Sequence, residues 1–467
     1  MKRLSPIDAA FLRMESPRTP MHIGALLTFK LPEDAPRDFA RQLLQNMREQ
    51  PYLPFPFGCR LQRSRLARVL PAWEDCEPDM DYHLRHAALP YPGGERELGQ
   101  LVARLHSHPM DLSRPPWECT LIEGLENNRF AAYFKAHHAA VDGMGAMKLI
   151  KGWLSYDPNH RGGPRMALPS NGDDSLVAMA GSTVKKALDF TGLQLRSTRE
   201  LVRNLREMSK GGDESVIRAS MATPRTVFNV PTSQQRRLGT QILPLERFKA
   251  ITSATGTTVN DATLAVVSGA IRRYLTELNA LPDKPLVASV PVGLPRSDGK
   301  GGNAVAGFVV PLGTHLADPA QRLETINAIT SKTKEQLMGM SVTALEQFTM
   351  LGMSPLILGQ MTGVLAKLPP FFNFVVSNVV ASKEKLYLHG AELEAMYPIS
   401  VLFDGYALNV TIIGYTDRVA LGFTGCRDAL PHLQRLAVYA GDALTELENA
   451  VGVAGGASAT PKKRKRK

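Results

Sequence analysis

A strand, a turn and a helix follow one another between residues 129 and 154, and this unit constrains the fold more than any other part of the sequence. Residues 129–136 (RFAAYFKA) alternate with a period of two, as the two faces of a β-strand do. The segment HHAAVDG follows at positions 137–143, and apolar residues then recur at helical spacing from Met147 to Leu154. The unit predicts a sheet that presents polar side chains to a cavity where the strand gives way to the helix.

The same mixture of strand-like and helix-like segments occupies both halves of the chain, which predicts an α/β fold. Turn-forming residues between 157 and 174 separate the halves. We predict an N-terminal domain at 1–160, a basic helical connecting segment at 161–240, a C-terminal domain at 241–452 and a disordered basic tail at 453–467.

The positive charge of the chain is concentrated at its C-terminus. The 467 residues include 55 Lys and Arg against 44 Asp and Glu, a formal net charge of +11, and residues 462–467 contribute six of those charges. The nearly balanced remainder does not require a nucleic-acid partner, and we expect none. A non-catalytic protein that the tail directs to nucleic acid or to an anionic membrane is one alternative function.

No uninterrupted apolar segment reaches the ~18 residues of a membrane span. Residues 350–368 come nearest, but Pro355, Gln360 and Lys367 interrupt them. Two interpretations stay open for this segment: a buried core helix, or an apolar surface that meets lipid or a lipidic substrate. The four cysteines form no C-x-x-C pair and no secretory signal is readable at the N-terminus, so we expect a cytoplasmic protein.

Two adjacent histidines lie where the strand reaches the turn. If the strand continues to His138, that side chain shares the apolar face of Phe134, whereas His137 falls on the opposite face. An imidazole in an apolar pocket stays neutral at about pH 7 and can accept a proton from a hydroxyl group. Asp142 could orient that ring or hold the turn through an ion pair.

Taken by itself, this segment is explained as well by a structural turn or a satisfied core histidine as by catalysis. A metal site is a further alternative, but no second cluster of ligands accompanies the two histidines and Asp142, and we predict no metal. The sequence has no G-x-S-x-G, no Walker motif at 293–301 and no G-x-G-x-x-G after a strand. A base without a protein nucleophile suits direct transfer between two bound substrates.

The segment HHAAVDG resembles the H-H-x-x-x-D-G signature of the CoA-dependent acyltransferase superfamily, which includes chloramphenicol acetyltransferase and the condensation domains of peptide synthetases. Further segments resemble elements of the bacterial wax ester synthase/diacylglycerol acyltransferase family. They are L-S-P-I-D at 4–8, P-M-H-I-G at 20–24, R-P-P-W at 114–117, N-D at 260–261, the stretch from Pro291-Val292 through Arg296 to Gly302-Asn303, and S-N-V at 377–379. Pro116 stands where the family's P-L-W element has leucine.

The resemblance implies two chloramphenicol-acetyltransferase-like mixed-sheet domains that form a channel between them. It also implies an O-acyltransferase that moves a fatty acyl group from acyl-CoA to a long-chain alcohol or to diacylglycerol, with acyl-CoA as a substrate and no cofactor. His138 would be the general base, His137 a supporting residue and Asp142 an orienting or structural residue. Arg296 would be the ion-pair partner of Asp142 across the domains.

Three polar residues of the second half are candidates for binding substrate. Asn260, Ser377 and Asn378 could each donate a hydrogen bond to the carbonyl oxygen as negative charge develops on it. Residues 258–275 are predicted to form a helix with a capping box at Thr258 and Asp261, so Asn260 also stands where a helix cap belongs. Ser377 and Asn378 stand at the end of an apolar strand. Structural roles are expected for Gly143, Trp117, Asp261 and Arg296.

A condensation-type acyltransferase that uses a carrier-protein thioester is the alternative within the superfamily. The match at residues 4–8 favours the wax ester synthase family instead. Because the implied substrates are apolar and no spanning segment is visible, we expect peripheral contact with the inner face of the membrane or with lipid inclusions.

Overall fold

The computed structural model describes residues 2–4, 6–49, 51, 53–62, 71–141, 143–161, 222–295, 303–339 and 342–453. Asp142 and Arg296 lie outside these residues, as do the tail from residue 454 onward and most of the predicted connecting segment. The ion pair expected between Asp142 and Arg296 therefore stays a prediction.

The described residues form strands and helices in both halves of the chain. The strands are β1 (Lys2–Arg3), β2 (His22–Lys30), β3 (Cys59–Leu61), β4 (Ala72–Asp75), β5 (Leu84–Ala88), β6 (Trp117–Leu125), β7 (Arg129–His137), β8 (Arg236–Pro244), β9 (Val287–Pro295), β10 (Asn303–Pro311), β11 (Phe374–Ser382), β12 (Tyr387–Leu388), β13 (Ala391–Ile399), β14 (Leu408–Tyr415) and β15 (Arg418–Cys426). The helices are α1 (Pro6–Met14), α2 (Phe39–Glu49), α3 (Met80–His83), α4 (Glu95–Ser107), α5 (Gly143–Trp153), α6 (Leu245–Thr255), α7 (Val259–Glu277), α8 (Pro319–Met338), α9 (Val342–Met361) and α10 (Gln434–Ala450).

Two mixed six-stranded sheets form the framework of the described chain. The first has the strand order β12-β13-β2-β7-β6-β5, in which only β5 and β6 pair in parallel. The second has the order β10-β9-β11-β14-β15-β8, in which β11 runs parallel to both β9 and β14. A small sheet of order β1-β4-β3 accompanies them. These sheets confirm the predicted mixed α/β fold.

The first sheet is completed by strands from the second half of the chain. β13 pairs antiparallel with β2, with Ile399 opposite Gly24, and β12 pairs with β13. Residues 387–399 therefore join the first sheet although they lie within the range 241–452 predicted for the second domain. In the same way, β8 begins the second sheet at Arg236, inside the predicted connecting segment.

Helix α7 coincides with the helix that the sequence predicts over residues 258–275. The N-cap Thr258 and the carboxylate of Asp261 form a reciprocal capping box, in which Asp261 Oδ2 accepts from the Thr258 N–H at 3.0 Å. Asp261 Oδ1 accepts a further bond of 2.6 Å from Thr330 Oγ1 in α8. Asp261 is only 2% exposed. It therefore holds the start of α7 and fastens this helix to α8.

Residues 350–368 form the end of α9 and the turn that follows it. Leu356 and Leu365 are buried, so part of this segment belongs to the core. Among residues 352–368, whose side chains the structure describes, the large apolar residues that stay exposed are Leu358 (61%), Met361 (43%) and Val364 (40%). The segment thus has one core face and an apolar end that is open to solvent. No helix in the described ranges is long and apolar enough to span a membrane.

Candidate active site

Strand β7 ends at the two adjacent histidines. It ends at His137 and does not continue to His138, and residues 137–141 form what we call the histidine turn. The His138 backbone N–H donates to the Met21 carbonyl at 2.8 Å. The half-buried His138 ring stacks on Phe11, with ring centroids 3.8 Å apart and planes inclined by 12°. A side chain of α1 thus covers one face of the imidazole.

His137 is fully buried and uses both ring nitrogens within the protein. Its Nδ1 accepts a hydrogen bond from the Ala139 N–H at 3.0 Å. Since Nδ1 accepts, the proton of the neutral ring lies on Nε2, which donates to Glu15 Oε2 at 3.2 Å. Glu15 and Phe11 were not predicted from the sequence as residues of this site. Their spacing of four residues, which can place two side chains on one side of a helix, is the only local signal that they act together.

Phe11 packs against an apolar cluster that draws on both halves of the chain, which we name the central apolar cluster. Its buried members include Met14 and Met21 from the first half and Leu356, Phe372 and Phe403 from the second. The residues packed against it that stay partly open to solvent include Phe11, Ile23, Met353, Ile357, Phe371 and Val375. Apolar and partly accessible side chains therefore lie next to His138, which is the environment that an acyl chain requires.

A buried glutamine joins the two halves at this cluster. Gln360 Nε2 donates to the Met14 carbonyl at 3.2 Å and to Thr19 Oγ1 at 2.7 Å. Gln360 Oε1 accepts from the Asp404 N–H at 2.9 Å. Sequence reasoning could not find these contacts, because the first two partners lie 346 and 341 residues from Gln360. The end of α1 is thereby fastened to α9.

Ser377 and Asn378 lie in the middle of β11 and not at a strand end, and they point to opposite faces of the second sheet. Ser377 shares its face with Val375 and Val379. Val375 packs in the central apolar cluster, and Val379 packs in the neighbouring cluster that includes Val141 of the histidine turn. We conclude that the face of Ser377 is directed at the first half, beside the histidine turn.

Asn378 lies on the other face, where its Nδ2 donates to Asn260 Oδ1 at 3.1 Å. Beside this pair, β11 remains paired with β14 but its pairing with β9 stops at Val375, opposite Ser289. In the part of the chain that the structure describes, no strand pairs with β11 at Asn378 along the edge that pairs with β9 earlier in the strand. The sheet therefore brings Asn260 and Asn378 together at an opened edge, and their roles in substrate binding stay predictions.

The predicted structural residues have different surroundings. Trp117 is buried, its Nε1 donates to the Phe57 carbonyl at 2.9 Å, and its ring stacks on His83 with centroids 4.5 Å apart. The Trp117 side chain is thus packed within the first half of the chain. Gly143 begins α5 and is exposed, and a Cβ at this position would meet no described atom within 4 Å.

Two further histidines are buried beside β7. His22, opposite His137 in the sheet, donates from Nε2 to the His106 carbonyl at 2.7 Å, and His106 Nδ1 is hydrogen-bonded to the Tyr133 hydroxyl at 2.7 Å. Burial, and after it nearby positive charge, lowers the pKa of both imidazoles well below the usual value. His22 belongs to the segment P-M-H-I-G, which resembles an element of the family. Its side chain is packed inside the protein.

The described residues include no group of three or more His, Cys, Asp and Glu side chains that could hold a metal ion. His137 in particular is engaged through both nitrogens by Ala139 and Glu15. Neither nitrogen of this ring is available as a metal ligand.

Comparison with known sequences gives matches along nearly the whole chain. The wax ester synthase/diacylglycerol acyltransferase catalytic domain matches residues 4–263, and the C-terminal domain of the same family matches residues 301–448. A putative diacylglycerol O-acyltransferase of Mycobacterium tuberculosis is 51% identical over 451 residues, which cover 96% of this chain and 99% of that protein. The O-acyltransferase WSD of Acinetobacter baylyi is 36% identical, with 94% and 95% covered.

Solved structures agree with this assignment. The wax ester synthase/diacylglycerol acyltransferase from Marinobacter aquaeolei VT8 matches with a TM-score of 0.77 and 36% identity, covering 97% of this chain and all (100%) of that one. The first condensation domain of the calcium-dependent antibiotic synthetase shares the fold, with a TM-score of 0.59 at 16% identity over 97% and 98% of the two chains. The chain therefore belongs to the wax ester synthase/diacylglycerol acyltransferase family and is an O-acyltransferase.

Proposed function

We propose that this O-acyltransferase moves a fatty acyl group from acyl-CoA to the hydroxyl of a long-chain alcohol or of diacylglycerol, with His138 as the general base. The observation that carries the proposal is the position of the His138 ring, stacked on Phe11 at the central apolar cluster to which both halves contribute. The names of the relatives from Mycobacterium tuberculosis and Marinobacter aquaeolei support the two classes of acceptor.

In the proposed reaction, the imidazole of His138 takes the proton of the acceptor hydroxyl as its oxygen attacks the thioester carbonyl carbon. The new C–O bond forms, negative charge develops on the carbonyl oxygen, and the C–S bond then breaks. The departing CoA thiolate recovers the proton from His138, so that ester and free CoA leave and the enzyme is unchanged. Only acyl-CoA and the alcohol are consumed, and the scheme needs no cofactor and no covalent acyl-enzyme.

Ser377 is our candidate donor to the carbonyl oxygen. Val375 and Val379, which precede and follow Ser377 on the same face of β11, pack in clusters that contain residues of the first half. A hydroxyl donor held in a largely apolar site stabilises developing negative charge more strongly than it would in water. Asp142 and Arg296 would support the histidine turn from their expected positions in the family motif.

Replacing His138 by Ala tests the mechanism. We expect kcat for esterification of hexadecanol with palmitoyl-CoA to fall by about 10²- to 10⁴-fold, the range for loss of a general base. His432, which is exposed on the second half, provides the matched control, and His432→Ala should retain full activity. A His138→Ala enzyme that forms ester at the wild-type rate contradicts the proposal.

The acceptor and the acyl donor are tested on the same purified protein. Parallel assays with hexadecanol and with dioleoylglycerol measure the ratio of wax ester to triacylglycerol formed. Activity only with a carrier-protein thioester, and none with acyl-CoA, would favour the condensation-type alternative. A variant lacking residues 462–467 should retain esterification, whereas loss of all function on this deletion would favour the binding protein directed by its tail.

The apolar end of α9 is our candidate for peripheral contact with the inner face of the membrane or with lipid inclusions. Leu358, Met361 and Val364 are exposed within seven residues, and the exposed Lys367 follows them. Apolar side chains beside a cationic one favour contact with an anionic lipid surface. The double variant Leu358→Asp/Met361→Asp should lose sedimentation with vesicles containing phosphatidylglycerol, and Val438→Asp, at an exposed position of α10, should keep it. Equal binding by both variants contradicts this location.

A further inference from the structure

We infer that the N-terminal segment around α1 positions the catalytic histidine turn: Glu15 fixes the tautomer of His137, and Phe11 fixes the plane of the His138 ring. The inference rests on the proposed role of His138 as the base. Both contacts come from one short segment, although the partners Glu15 and His137 lie 122 residues apart in sequence. Glu15 and Phe11 are therefore assigned as positioning residues, because they act through the histidines and not on the substrate.

Both nitrogens of the His137 ring have hydrogen-bond partners, and one of these is Glu15. The Ala139 N–H donates to Nδ1 at 3.0 Å, and Nε2 lies 3.2 Å from Glu15 Oε2. Only the neutral tautomer with its proton on Nε2 satisfies both contacts. The other tautomer would direct an N–H at the N–H of Ala139, which is the residue immediately after His138. The choice of tautomer at His137 thus decides whether the backbone can keep the conformation that presents His138.

The surroundings of Glu15 indicate that stability alone does not explain its presence. His137 is fully buried and the Glu15 side chain is 15% exposed. The second carboxylate oxygen, Oε1, is buried and has no hydrogen-bond partner among the described residues. A buried oxygen without a partner lowers stability, and such groups in native proteins call for an explanation other than packing. Holding the Nε2–H of His137 provides that explanation.

Phe11 and the anchoring of the segment complete the arrangement. The Phe11 and His138 rings are 3.8 Å apart and nearly parallel, so the imidazole cannot rotate about its bond to Cβ without losing this contact. The end of α1 is itself held from the second half, where Gln360 donates to the Met14 carbonyl. Glu15, which follows Met14, is thereby kept at a fixed distance from the histidine turn.

The variant Glu15→Met tests the inference, because methionine fills a similar volume but accepts no strong hydrogen bond. We expect kcat to fall by about 10- to 100-fold, the effect of misplacing a catalytic group by a fraction of an ångström to an ångström, with KM for acyl-CoA and for hexadecanol unchanged. Glu15→Gln retains a carbonyl oxygen that can accept from Nε2–H and should restore most of the activity. Imidazole nitrogen NMR should find the proton of His137 on Nε2 in the wild-type and Gln proteins, and a mixture of tautomers in the Met variant.

Glu448 gives a matched control for the loss of a partly buried carboxylate. Its side chain is 13% exposed and pairs with Arg247, so that it joins α10 to α6 within the second half of the chain. Glu448→Met should lower thermal stability about as much as Glu15→Met does, while keeping wild-type kcat. Equal kcat in Glu15→Met and wild type, or equal loss in the two Met variants, overturns the inference, as does a His137 tautomer that is unchanged in Glu15→Met.

Phe11→Leu keeps an apolar side chain but removes the stacked ring, and provides a second route if Glu15→Met does not fold. We expect a several-fold lower kcat at unchanged KM, and wild-type kcat would overturn the role of Phe11. Failure of the underlying mechanism has a different signature. An active His138→Ala enzyme removes the general base from the scheme, whereas an inactive His138→Ala enzyme with a fully active Glu15→Met enzyme removes only the positioning role.

Discussion

The two halves of the molecule hold their polar groups in different ways. In the first half, His137 is fully buried and both of its ring nitrogens have partners, and the neighbouring His138 is stacked on Phe11. In the second half, Asn378 is exposed and its described hydrogen bond is to Asn260. Among the described residues, β9 pairs with β11 only as far as Val375, and no described strand lies on that side of Asn378.

This difference teaches how one site can be both rigid and accessible. A general base must keep one orientation, and burial of its neighbours supplies that rigidity. A group that stabilises the carbonyl oxygen must instead be reached by the substrate, and Ser377, half-buried on the face of β11 directed at the first half, is the candidate for that role. The first half would thus preset the base, and the second half would present the donors.

Substitutions at Ser377 and Asn378 give the largest test of this comparison. We expect Ser377→Ala to lower kcat by about 10²- to 10³-fold, as removal of a single oxyanion donor does in other acyl-transfer enzymes. Asn378 lies on the other face of the same strand, so Asn378→Ala should lower kcat by less than about tenfold. Steady-state kinetics with hexadecanol and acyl-CoA measure both effects. The reverse order would assign the donor to Asn378 and its partner Asn260.

Much of the local structure was predictable because periodicity is a local property. The alternation at residues 129–136 predicted β7, and the capping pattern at Thr258 and Asp261 predicted the start of α7. The histidine motif also led to the family. In each case the pattern and the structure it determines lie within about twenty residues of one another.

Pairing between distant segments was not predictable. A strand pattern states which residues share a face but not which strand lies beside it, so the sequence did not reveal that β13 completes the first sheet. It placed Ser377 and Asn378 together as donors, although alternation in mid-strand directs them to opposite faces. The contacts of Glu15 and Phe11 with the histidine turn were missed for the same reason, since the partners lie more than 120 residues apart in sequence.

Asn260 and Asp261 are neighbours in the first turn of α7 but are expected to have different roles. Asp261 is expected to be structural, and Asn260 is a candidate for binding substrate. Asp261 completes the capping box of α7 and accepts from Thr330, so Asp261→Ala should lower the free energy of unfolding by about 2 kcal/mol, the cost of losing the capping-box bond and a buried hydrogen bond. Asn260→Ala should leave stability nearly unchanged, because this side chain is half exposed. Urea unfolding compares the two variants. Equal destabilisation would mean that Asn260 is also structural, which would weaken the comparison drawn between the halves.

The smallest expected effect concerns acid sensitivity, which we assign to the buried histidines of the first half. Burial lowers the pKa of His22 and His106 well below the unfolded value of about 6.5. The unfolded chain therefore binds more protons than the folded one below that pH. Above about pH 6.5 these two rings do not lower the free energy of unfolding. As the pH falls below that value, the free energy of unfolding decreases by at most about 1.4 kcal/mol per pH unit for each ring.

His22→Gln removes one of these rings while keeping a donor for the His106 carbonyl. The free energy of unfolding, measured by urea titration from about pH 7.5 to about pH 5, should then fall less steeply with acid than in wild type, by up to about 1.4 kcal/mol per pH unit. The same titration of His432→Gln shows what removal of an exposed histidine does. A wild-type slope in His22→Gln would mean that the acid-sensitive groups lie elsewhere, and that burial of histidines does not set the first half apart from the second.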